Sequence, residues 1–165
     1  MAFIKLRLAA VSVSVLIAVS GCAGTGDPGN SAQTGNTAAP AQNQSKASTS
    51  AEELGLLINF TLEPEDLVWR EDKAKNSIVA VLRMDVEDTK KLADQFSQRA
   101  PGIPKTVQVE DWFPPELIAK GEIAGGSSVE GAAFPADDFY QDPYSLGTVT
   151  RVAGTDFFVV ELSGK

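Results

Sequence analysis

The spacing of apolar residues changes repeatedly along this chain, and each change marks a different kind of segment. Leu8 to Val19, LAAVSVSVLIAV, is an uncharged apolar run of about a dozen residues, well short of the roughly 20 needed to span a bilayer. From Ala23 to Ser50 the chain is mostly Gly, Ser, Thr, Asn, Gln and Ala and has little to bury. Apolar spacing returns after Ala51. Ile78 to Leu82 is apolar at every position, which predicts a central strand covered on one face or on both. Val86, Thr89, Leu92, Ala93 and Phe96 follow at helical spacing, which predicts a helix over 86–99. Asp85 is its N-cap, Glu87 and Asp88 add negative charge to the first turn, and Pro101-Gly102 ends it. Glu87–Lys91 and Lys90–Asp94 fall at i,i+4 on the wet side.

The C-terminal segment reads as a hairpin, with strands at Thr148–Val152 and Phe157–Leu162 around the turn Ala153-Gly154-Thr155-Asp156. A further strand is expected at Leu56–Thr61 and a weaker one at Thr106–Val109. Pro114-Pro115 can open a short helix running to Lys120. The stretch from Gly125-Gly126-Ser127-Ser128 to the hairpin reads as a long loop. The expected fold is α+β: a small antiparallel or mixed sheet, one main helix packed on one face, and a C-terminal β-hairpin. The pattern contains neither βαβ repetition nor an internal repeat.

Composition narrows the chemistry. With 165 residues, 43 % of them hydrophobic, the chain suits one domain, placed at 51–165. Its one cysteine cannot form an internal disulfide, and the absence of histidine removes the commonest general base and metal nitrogen. Residues 51–165 hold 11 basic and 21 acidic side chains. That balance argues against nucleic acid, whose phosphates are bound by neutralising lysines and arginines, and against adhesion to anionic lipid through a basic patch.

The lone cysteine has a specific context. MAFIKLR carries two positive charges ahead of the apolar run, the layout of an export signal. The run closes on Val19-Ser20-Gly21-Cys22, which resembles the lipobox of bacterial lipoproteins. The resemblance implies that residues 1–21 are removed, that Cys22 is lipidated, and that the domain is held in the cell envelope by acyl chains. Residue 23 is Ala, which in double-membraned bacteria favours the outer membrane. In a single-membraned organism the anchor is the outer leaflet of the cytoplasmic membrane. Residues 22–50 then form a tether of about 30 Å end to end. The remaining chain, with its aspartate-opened helix, WFPP segment and closing hairpin, resembles small envelope-lipoprotein domains in general style.

Candidate binding residues concentrate in VEDWFPPELIAK and GAAFPADDFYQDPYSLG: Trp112, Phe113, Phe134, Asp137, Asp138, Phe139, Tyr140, Asp142 and Tyr144. Aromatic faces beside carboxylates suit a protein partner or sugar rings. The competing and preferred reading makes the rings core anchors of irregular loops and leaves the acids in water. Trp69 is likewise expected to pack against the sheet. Asp137, Asp138 and Asp142 are weak calcium candidates because their spacing lacks the EF-hand order. A catalytic triad and the lysine of a phosphate-binding loop are both missing, and no pair of acids is singled out for glycoside hydrolysis. The expectation is therefore a non-enzymatic envelope domain without a cofactor that binds another protein, in an inhibitor or immunity role as one specific form. The alternatives are a carbohydrate- or peptidoglycan-binding module and an envelope assembly accessory. The full-length chain made in a bacterium should have an intact mass beginning at Cys22 with added acyl chains, and Cys22→Ala should lose them. A mass beginning at Gly21 with a free thiol would reject the lipobox reading.

Overall fold

The computed structural model describes residues 46–165. Cys22, the signal segment and most of the expected tether lie outside these residues. The elements follow in the order α1 (Ala51–Gly55), β1 (Asp66–Asp72), β2 (Ser77–Arg83), α2 (Val86–Arg99), β3 (Ile103–Gln108), α3 (Pro115–Ile123), β4 (Ser128–Pro135), a 3₁₀ turn at Asp137–Phe139, β5 (Tyr144–Val152) and β6 (Phe157–Gly164). The six strands form one antiparallel sheet in the order β1-β2-β6-β5-β4-β3. The fold is α+β, with β5 and β6 as the C-terminal hairpin.

The all-apolar strand lies at the heart of the sheet because both of its faces are covered. Ile78, Ala80 and Leu82 of β2 enter one core with Leu54, Ile58, Trp69, Leu92, Phe96, Phe134 and Phe139. Val81 enters a second core on the opposite face, with Val79 packed against it, and that core also holds Val107, Phe113, Leu117, Val129 and Val152. Its neighbour β6 divides in the same way, giving Phe158, Val160 and Leu162 to the first core and Phe157 and Val159 to the second. Successive side chains on a strand point to opposite faces. A strand between two cores therefore cannot alternate with polar residues.

Helix α2 follows from its sequence. The Asp85 carboxylate accepts from the Asp88 amide at 2.8 Å, and Thr89, Leu92, Ala93 and Phe96 are buried. Two details differ from expectation. Val86, at the first helical position, is exposed, and Lys91 pairs with Asp88 at i,i+3 instead of with Glu87.

Two other expectations are corrected. Leu56–Thr61 is not a strand. Ser50 caps the short helix α1 by accepting from the Glu53 amide at 3.1 Å, and the chain then runs irregularly to β1. The apolar residues there sit at helical spacing, with Leu54 and Ile58 both buried as plugs under the first core. The strand in this region is β1, whose charged residues suit a half-buried edge strand. The first half of the expected long loop contains β4. Gly131 in that strand lies so close to β5 that a Cβ would collide with the Arg151 carbonyl oxygen. The required glycine weakens the local strand signal. Ahead of α1, Ser48 and Trp69 exchange two backbone hydrogen bonds of 2.8 Å.

The other edge strand, β3, contains Pro104. Val109 donates to the Ser127 carbonyl at 2.7 Å, so in the same register the odd-numbered residues bond to β4 and Pro104 faces outward. A residue without an N–H costs no ladder bond there and hinders pairing with a further strand. Phe158 is fully buried, with its ring edge-on to Phe96 at 6.4 Å. Phe158→Ala should lower unfolding free energy by about 3–5 kcal/mol, measured by urea denaturation. A loss below about 1 kcal/mol would contradict this core assignment.

Candidate functional site

The candidate residues divide between the two faces of the sheet. Phe134, Phe139 and Tyr144, exposed by only 5, 3 and 2 %, belong to the first core, and Tyr140 packs against it. Phe113, 4 % exposed, belongs to the second core, with Trp112 packed against that one. The expected single acidic and aromatic face is thus two separate places. The buried rings cannot meet a partner without unfolding their loops.

The first place is the loop 136–143. The Asn59 side chain donates to the Asp138 carbonyl at 2.7 Å, the Asn59 amide donates to the Phe139 carbonyl at 3.2 Å, and the Gln141 side chain donates to the Leu56 carbonyl at 3.0 Å. Arg99, at the end of α2, pairs with the Asp138 carboxylate, and the Tyr140 hydroxyl donates to Gly147 at 3.4 Å. Burial, then the nearby Asp137 charge, raise the Tyr140 pKa. The loop is held from the turn after α1, from α2 and from β5, while Asp137, Asp142 and the 78 % exposed Leu56 remain in water. The three aspartates do not converge on one point. Among the described residues no group of acids, histidines or cysteines could hold a metal ion.

The second place is a cleft of about 330 Å³ between β1 and the WFPP segment, lined by Asp66, Leu67, Val68, Trp112, Phe113, Pro114, Pro115 and Glu116. Pro115 opens α3, where a missing N–H costs nothing. Trp112 stands edge-on to Phe113 at 4.6 Å, lies under the Arg70 guanidinium at 5.0 Å and donates to the Glu110 carboxylate at 3.0 Å. Arg70 in turn pairs with Glu110. The indole is therefore fixed by a ring, a cation and a carboxylate together. The sequence reading did not connect Asp66, Leu67 and Glu116 with Trp112. Their meeting depends on a strand that its charged residues disguised.

No protein-family model, curated protein or solved structure matches the chain. The two sites are therefore interpreted from their own chemistry. Tyr144 offers a direct check on the first. Its hydroxyl donates to the Glu71 carboxylate at 2.8 Å, and burial, followed by Glu71, raises its pKa far above the usual 10.0. The folded state thus keeps the phenol proton after the unfolded chain has released it. This contribution to stability is complete below pH 10 and is lost as pH rises from there towards the folded pKa. Tyr144→Phe should cost about 1 kcal/mol at pH 7 and show a smaller alkaline loss than the parent, read from urea midpoints at neutral pH and above pH 10. An identical alkaline loss would contradict the buried pairing.

Proposed function

We propose that the chain is a lipid-anchored cell-envelope protein whose folded domain binds another protein non-covalently, one that presents a basic surface. The observation that carries this reading is the arrangement of the two loop regions. Buried rings hold them in place while Asp111, Glu116, Asp137 and Asp142 stand exposed. Loops fixed in this way lose little freedom on binding, and excess negative charge speeds encounter with a cationic partner. Val19-Ser20-Gly21-Cys22 supports the anchor, which supplies the membrane attachment that an acidic domain cannot obtain from headgroups. An inhibitor or immunity role towards a basic, envelope-acting enzyme is a specific form of this reading.

A carbohydrate-binding module has less support. It would need Trp112, Phe113, Tyr140 and Tyr144 as open platforms. Phe113 and Tyr144 are buried, and Arg70 lies over the Trp112 ring. The full chain should bind a strongly basic protein such as a lysozyme at low ionic strength. Raising salt from about 20 to 300 mM should weaken that binding at least about tenfold. Isothermal titration that detects no binding at low salt would contradict the proposal.

A further inference from the structure

We propose that the cleft between β1 and the Trp112–Glu116 segment seats a lysine or arginine side chain from an extended basic and aliphatic segment of the protein partner. This rests on reading the domain as a binder of basic proteins, and it assigns that function a contact point.

The floor of the cleft is apolar. Val68 of β1 shares the second-core face with Trp112 and Phe113 and lines the cleft with them and with Pro114 and Pro115, and the two prolines present ring surface without backbone donors. The rim is acidic, with Asp66 at one side and Glu116 at the other. Arg83 is the cation that answers these acids. Its Nε donates to Asp66 at 2.6 Å, Glu65 lies 3.5 Å from its Nη1, and Glu116 acts on it through space. Three carboxylates thus share one guanidinium. The local excess is two negative charges beside an apolar floor.

A long basic side chain matches both properties. Its methylenes can lie on Val68 and the prolines while its charged head reaches the carboxylates. An acidic segment would meet like charge. An anionic lipid surface is disfavoured for the same reason, and a second copy of the chain carries the same acidic excess. Trp112 is held by Arg70 and Glu110 before any partner arrives, so its ring needs no reorganisation to border the seat.

The test uses the purified full chain with a short acetylated and amidated peptide of alternating lysine and leucine. A peptide of alternating glutamate and leucine is the control. Trp69 is buried in the first core, so a fluorescence change that disappears in Trp112→Phe reports on the cleft. The lysine peptide should give a saturable change at low salt and the glutamate peptide none. Glu116→Lys should weaken binding at least about tenfold and Glu116→Gln about threefold, whereas Asp137→Asn with Asp142→Asn should change it less than about twofold. Glu116 is exposed and forms no ion pair within 4 Å among the described residues, so both variants should fold, as checked by their urea midpoints. Binding that ignores Glu116 but weakens in the Asp137/Asp142 variant would overturn the cleft and leave the broader reading standing. If neither the lysine peptide nor a basic protein binds the parent chain, both fall.

Discussion

Burial of the β2–β6 pair on both faces is the constraint from which the rest of the structure follows. Two adjacent strands with apolar side chains on each side cannot leave either face in water. The chain therefore has to supply two covers. α1, α2 and the loop around Phe139 form one, and α3 with the Phe113 segment forms the other. This arrangement uses most of the aromatic residues as fasteners. It also explains how a domain of this size keeps its irregular segments in place without a disulfide.

The same constraint shapes the surface. Rings that point inward leave the short polar residues between them facing out, and in this chain many of those residues are aspartate or glutamate. Several of the arginines and lysines are committed internally, Arg70 to Glu110, Arg99 to Asp138 and Lys105 to Glu161. These pairs are partly exposed, and each adds little to stability. Each pair neutralises one base and one acid, so the excess of acidic over basic side chains stays unpaired at the surface. The exposed acids are thereby left to set the field that a partner meets.

The sequence was most legible where one physical signal dominated. β2, α2 and the closing hairpin each carried an unbroken apolar pattern with a clear cap or turn, and each formed as its pattern required. Legibility failed where a second demand overrode the pattern. β1 is an edge strand and carries the charges that edges tolerate, so it looked like a loop. β4 needs Gly131 for its close approach to β5, so it looked like a linker. Leu57, Ile58 and Phe60 are apolar because they pack against the first core, and packing there does not require a strand. At the site, residue type grouped Trp112 and Phe113 with Phe134 to Tyr144. Strand order then placed the two groups on opposite faces of the sheet, a separation no local pattern encodes.

The central claim is that buried rings and backbone bonds fix the acidic loops before any partner binds. Native-state hydrogen exchange on the full chain tests it most directly. Amides of Ala80, Val81 and Phe158–Val160 should exchange only through global unfolding, and those of Phe139 and Tyr140, which donate to Ala136 and Asp137, should be clearly protected. Exchange of Phe139 and Tyr140 at the rate of an unstructured peptide would contradict the account, even with the sheet fully protected.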